Sequence, residues 1–232
     1  MLRGNASKNS SYLRLMNNLI KASAVHPKKH GIRMQAHHII SADGVKLARI
    51  GEKLEEFGYD INLGPNLAFL PSTLQSACHL GIQPHRGNHT AISDRTRSLD
   101  DEEDDYDDDD HPFSYHQMIA GRLKRLKTPL NRVCTGMDDP TRTMLKEEMD
   151  KLSAEVLKDI QMRPNMARLT SIADHFRPGN TIGCGGVDAV DKHDTAHSCP
   201  THRDHAMKQG PGQRKEQISY KSLMPYVLKP GA

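Results

Sequence analysis

Apolar residues recur at helical spacing along much of the chain. Over residues 10–24, Leu13, Leu15, Met16, Leu19 and Ile20 form a stripe, with Asn9 or Ser10 placed to cap its start. The run VKLARIGEKLEEFG follows the helix-start signal SADG, sets Leu47, Ile50, Leu54 and Phe57 on one face, and ends on Gly58, suited to a C-cap. YHQMIAGRLKRLK and TRTMLKEEMDKLSAEVLKDI predict two more helices. In the second, Leu145, Met149, Leu152, Val156 and Ile160 line one side. Two short stretches break this rhythm: QAHHII, residues 35–40, reads as a strand, and NLAFLP as a short apolar run leaving a loop. PHRGNH opens a further helix on Pro84. The last ~60 residues are dominated by Gly, Pro, His and Asp and carry little periodicity. The pattern predicts an α+β protein, mostly helical, with no internal repeat.

Composition narrows the class. Aromatics make up 4% of the 232 residues and Trp is absent, so the core must be built from Leu, Ile, Val and Met. Mean hydropathy is −0.68, and the chain shows neither a transmembrane run nor a secretory hydrophobic segment. Its opening does not resemble the start of a domain, so a piece of a longer polypeptide is expected. Cys78, Cys134, Cys184 and Cys199 are far apart with no CxxC pair, which argues against a disulfide scaffold. The net charge of +3 conceals an uneven distribution. Residues 1–99 carry 13 Lys and Arg against 6 Asp and Glu, and 111–232 carry 19 against 13. Between them DDEEDDYDDDD, residues 100–110, holds 10 acids and no base. Such a run buries nothing and is expected to be a solvated loop. Basic segments either serve solubility or meet a polyanion such as nucleic acid.

The candidate chemistry lies in the first 90 residues. Side chains alternate faces along a strand, so His37 and His38 point opposite ways and cannot share one task. His85 and His89, four apart, share a helix face and suit a metal with nitrogen ligands. Taken singly these features stay open: the histidine pair also fits an ordinary strand, and Asn66 also fits a turn after Gly64 and Pro65.

In order, AHHI at 36–39, EKLEEFGYDIN, GPNLAFLP with Asn66, and HRGNH at 85–89 resemble the HNH endonuclease superfamily, most closely its AHH branch of nuclease toxins. The resemblance covers about residues 33–93, and the segment from Pro71 to Pro84 is long for the family. It implies a ββα-metal core, a small β-hairpin and metal-binding helix embedded among helices. It also implies that His37, His85 and His89 ligate one divalent ion, that His38 is the general base, and that Asn66 orients His38 or braces the adjoining loop. Arg86, between the two histidines, would point away from the metal on a helix, either toward a phosphate or simply to the surface, and Lys28, Lys29 and Arg33 in the basic approach to the strand are further candidate nucleic-acid contacts. The ion would be Mg²⁺, Mn²⁺, Zn²⁺ or Ni²⁺. DNA is the expected substrate and RNA the alternative. The expected organisation is a core with N-terminal helix at 1–99, the acidic loop at 100–110, completing helices at 111–163 and an irregular extension at 164–232. Kinship with toxins implies delivery by a bacterial secretion system without a signal peptide, action in the target-cell cytoplasm, and a cognate immunity protein.

Two other readings accompany this one. The tail places Cys184, His197, Cys199 and His202 close together, a candidate structural zinc site, although no zinc-finger spacing is present. A non-catalytic DNA-binding or zinc-stabilised adaptor is the competing class of function. Deaminase and zinc-protease chemistry are disfavoured, since neither His-x-Glu with Pro-Cys-x-x-Cys nor His-Glu-x-x-His occurs. The acidic run is either a spacer or a nucleic-acid mimic lying over a basic cleft.

Overall fold

The computed structural model describes residues 4–85, 113–131, 139–170, 173–176, 218–221 and 226–231. Helix α1 (Ser11–Ala22) is followed by β1 (Met34–His38), α2 (Ala42–Ala48), α3 (Gly51–Glu56), β2 (Leu67–Pro71), α4 (Leu74–Leu80), α5 (Phe113–Asn131) and α6 (Asp139–Met162). Among the described residues the protein is thus mostly helical with one small antiparallel sheet, an α+β arrangement consistent with a ββα core. Among the described residues no helix is long and apolar enough to cross a membrane.

β1 and β2 pair from Met34 opposite Pro71 to His38 opposite Leu67, and the ladder is extended where the Ile39 N–H donates to the Asn66 carbonyl at 2.9 Å. All five residues of β2 are buried, so this strand is covered on both faces. The Leu145, Met149, Leu152, Val156 and Ile160 stripe of α6 is buried throughout, as its period requires. α5 and α6 are joined by Asp159, a buried carboxylate receiving Arg122 at 2.6 Å and Arg163 at 2.5 Å.

Two local expectations are corrected. Leu13 is exposed and Tyr12 takes the inward position on α1; Ser10 stands at the N-cap without a side-chain capping bond, and the Asn9 side chain accepts from the Ser11 N–H at 2.9 Å. The single helix expected through VKLARIGEKLEEFG is two, because Arg49 at φ 55° leaves the helical region and breaks it. Pro71 to Pro84, long for the resemblance, is occupied by α4, capped by the Thr73 side chain at its start and closed by Gly81 at φ 65°. α4 carries Cys78, which is disulfide-bonded.

The described parts of 164–232 pack on this core. Gln161 in α6 accepts from the Leu228 N–H at 2.9 Å, the Gly231 N–H donates to the Leu67 carbonyl at 2.6 Å, and His79 meets the Tyr220 carbonyl at 2.7 Å. Residues 100–110 and Cys184, His197, Cys199 and His202 lie outside the described residues, so the acidic-loop and zinc expectations rest on sequence.

α2 lies against α5 at a glycine. A Cβ at Gly44 would sit 2.5 Å from Ile119 Cγ2 and 2.8 Å from Ile119 Cβ. Rotating the isoleucine moves the first atom but not the second, so α5 itself must retreat. Gly44→Ala is expected to cost about 1–3 kcal/mol, read as a lowered urea midpoint.

Candidate active site

The site begins with the period of β1. His37 faces α5 and the residues after α4, whereas His38 faces α1 and the loop before β2. Both imidazoles are buried.

On the first face, the His37 and His85 rings stand 4.7 Å apart at 66°. His85 is held from behind: its N–H donates to the Pro71 carbonyl at 2.7 Å, so the chain leaving α4 is tied back to the end of β2. Two residues earlier, buried Gln83 donates to the carbonyls of Ile160 and Ala167, both at 2.9 Å, and accepts from the Leu169 N–H. His37 is oriented by Tyr115, a residue of α5. The Tyr115 hydroxyl gives its one hydrogen to the Ile39 carbonyl at 2.6 Å and therefore accepts from His37 Nε2 at 3.0 Å. That assigns the proton to Nε2 and the lone pair to Nδ1. Burial, reinforced by the nearby His85, His38, His116 and Lys8, holds the His37 pKa well below its ordinary value. His37 is therefore a neutral imidazole, the form that ligates a metal.

On the second face, His38 Nε2 lies 3.1 Å from Asn62 Oδ1. The Asn62 amide is itself fixed, since Nδ2 donates to the Ser7 carbonyl at 2.9 Å and to Asp60 Oδ1 at 2.8 Å. Its oxygen must then face His38, which places the proton on Nε2 and leaves Nδ1 as the basic atom. The Tyr12 ring packs against the His38 ring at 66°, centroids 4.5 Å apart. Burial lowers the His38 pKa, with Lys8 acting in the same direction and the Asn62 hydrogen bond and Asp60 opposing it.

Asn66 does not orient His38, contrary to one of its two expected roles. It is fully buried and spends its side chain on the backbone: Oδ1 accepts from the Ile40 N–H at 2.7 Å and from the Ser153 hydroxyl at 3.1 Å, while Nδ2 donates to the carbonyls of Ile40 at 3.0 Å and Ile61 at 2.8 Å. It ties the chain just after the histidine pair to the loop before β2 and to α6. Asn62 is the partner of His38 instead.

Of the other candidates, Lys28 and Lys29 are exposed on a short 3₁₀ turn, one lying 5.2 Å over the Phe69 ring and the other donating to the Lys21 carbonyl at 3.0 Å. Arg33 is exposed just before β1. Arg86 and His89 lie outside the described residues. Among the described residues no three His, Cys, Asp or Glu side chains form a metal-holding group. His37 and His85 are nonetheless suited to one: both are imidazoles, buried side by side, with His37 neutral and its tautomer set.

Residues not anticipated from sequence are Asn62, Asp60, Tyr12 and Tyr115. A fifth, buried His116, meets the Ser41 hydroxyl through Nδ1 at 2.8 Å. Asp60 and Asn62 carried a local signal, an Asp whose carboxylate accepts from the N–H two residues on, here at 2.8 Å. Tyr115 and His116 had none, being more than 70 residues from their partners.

Compared with known proteins, residues 31–161 match the model of AHH, a nuclease family of the HNH/ENDO VII superfamily with conserved AHH. No curated protein and no solved structure matches the chain.

Proposed function

Since the chain belongs to this AHH nuclease family, we propose that it is a metal-dependent DNA endonuclease that acts as an antibacterial toxin. The observation that carries the catalytic part is the division of the histidine pair, with His37 beside His85 on one face of β1 and His38 fixed by Asn62 on the other. His37, His85 and His89 would hold one divalent ion. When bound it supplies positive charge for the phosphoryl oxygens and the departing oxygen. Imidazole donors favour Zn²⁺ or Ni²⁺ for tight binding, whereas Mg²⁺ or Mn²⁺ would serve turnover.

The chain's own residues supply the rest. His38 Nδ1 takes a proton from water, and the water oxygen forms a bond to phosphorus as the P–O3′ bond breaks. The Nε2 hydrogen bond to Asn62 holds the ring in the productive tautomer, and the Asp60 carboxylate beside Asn62 favours the imidazolium that results. Tyr115 performs the corresponding orientation for His37. Contacts to the backbone alone give low sequence specificity and a steep salt dependence.

The toxin reading is supported by the AHHI, GPNLAFLP and HRGNH pattern. It carries with it delivery by a secretion system, action in the target-cell cytoplasm and an immunity protein that neutralises the enzyme. The decisive assay incubates the full chain with supercoiled plasmid and with structured RNA, after chelation and after return of Mg²⁺, Mn²⁺, Zn²⁺ or Ni²⁺. Plasmid nicking and linearisation restored by a metal are expected. Cleavage of RNA alone makes it a ribonuclease, and binding of DNA without cleavage under every metal makes it an adaptor.

A further inference from the structure

The N-terminal segment lies outside the family match, yet it forms one wall of the site. Gly4 and Asn5 pin it: their N–H groups donate to the Glu55 and Tyr59 carbonyls at 2.8 and 3.0 Å, and the Ile61 N–H returns to the Asn5 carbonyl at 2.9 Å. The backbone passes so close that a Cβ on Gly4 would meet the Tyr59 carbonyl oxygen at 2.1 Å. The next residues enclose Asn62, with the Ser7 carbonyl accepting from its Nδ2 and the Asn9 N–H donating to its Oδ1 at 3.1 Å. Lys8 sits between them. Its ammonium lies 5.5 Å from the centroid of the Tyr12 ring, which packs against the His38 ring in a T-shaped contact.

We propose that Lys8 is a catalytic residue of this chain, its ammonium pairing with a non-bridging oxygen of the scissile phosphate on the His38 side. The inference rests on the nuclease reading. Its grounds are geometric: a fixed backbone on either side of Lys8, an aromatic surface that guides the side chain, and the proposed base against that aromatic. Lys8 is exposed and pairs with no carboxylate among the described residues, so its charge is available to an anion.

Ala6, Ser7 and Lys8 also line a cavity of about 560 Å³, together with Lys46, Arg49, Asp43, Glu52 and Glu55. Glu55 is already engaged, accepting from the Ala6 N–H at 3.1 Å.

The test compares single-turnover cleavage of a short duplex at saturating enzyme for wild type, Lys8→Met, Lys8→Gln and Lys8→Arg, with Lys53→Met as a control for loss of surface charge. Metal affinity by calorimetry and thermal unfolding are measured alongside. The two neutral variants are expected to lose about 100-fold in the cleavage step, the scale of removing one donor to a developing oxyanion, with metal affinity and melting unchanged. Lys8→Arg should recover most of the rate, and Lys53→Met should match wild type. Neutral variants within threefold of wild type would overturn the role of Lys8 while leaving the nuclease reading intact. So would a loss confined to duplex affinity and shared by Lys53→Met, or a loss accompanied by weaker metal binding or a lower melting temperature. A wild type inactive on every nucleic acid and metal would overturn both.

Discussion

Replacing His38 with alanine is expected to lower the single-turnover cleavage rate by roughly 10²–10⁴-fold while metal affinity stays at the wild-type level. Both halves of this expectation follow from β1. Adjacent strand residues face opposite ways, so truncating His38 removes a ring packed on Tyr12 and leaves the contact of His37 with His85 and Tyr115 untouched. The fold should tolerate the change. Asn62 Oδ1, deprived of the imidazole, still accepts from the Asn9 N–H at 3.1 Å, so the cost is expected to be about 1–2 kcal/mol. His37→Ala should behave in the reverse order, losing metal affinity first and activity as a consequence. Calorimetry with Zn²⁺ or Ni²⁺ separates the two, and plasmid cleavage gives the rates. In a bacterial cytoplasm, induction of the wild-type chain should kill and degrade the nucleoid, while His38→Ala should be tolerated. A His38→Ala protein that cleaves within tenfold of wild type, or one that loses metal as badly as His37→Ala, would remove the basis for assigning the two rings different tasks.

What could be read from the chain alone depended on how local the cause was. The divergence of His37 and His38 follows from the two-residue period of a strand, and the buried stripe of α6 from the helical period, so both were visible in the residues themselves. The break between α2 and α3 was not. Arg49 adopts a left-handed conformation in a stretch, Ala48 to Ile50, that contains no glycine, proline or asparagine to mark it. α4 is seven residues long, too short for a stripe to stand out, although Thr73 and Gly81 bracket it. The same limit governs the site. Asn62 and Asn66 stand four apart in one loop, and which of them reaches His38 depends on where β1 runs in three dimensions. Tyr115 reaches His37 only because α5 returns to the hairpin after the acidic run, which no spacing in the sequence encodes.

The two asparagines should therefore separate cleanly under mutation. Asn66→Ala is expected to destabilise the protein by about 4 kcal/mol or more. The side chain lies at zero exposure, and its loss deprives the Ile40 N–H, the Ile40 and Ile61 carbonyls and the Ser153 hydroxyl of a partner at once. Each such loss in a buried setting costs about 1–3 kcal/mol, with relaxation returning part of the sum. Against a typical domain stability of roughly 5–15 kcal/mol, that is enough to bring the fold near its limit. Asn66→Asp offers no escape, since a carboxylate keeps the acceptors, loses both donors and buries a charge. Asn62→Ala is expected to act on chemistry instead. His38 loses the acceptor that sets its tautomer, and cleavage should fall on the order of 100-fold. Stability should drop by less than for Asn66→Ala, about 1–3 kcal/mol: the His38 and Asn9 N–H groups lose their acceptor, but the Asp60 carboxylate keeps the Asn62 N–H and the Ser7 carbonyl stands at an exposed residue. Urea unfolding and single-turnover rates on the same preparations measure both axes. If Asn66→Ala unfolds like wild type but is inactive, Asn66 belongs to the chemistry. If Asn62→Ala keeps its full rate, His38 needs no partner at Nε2.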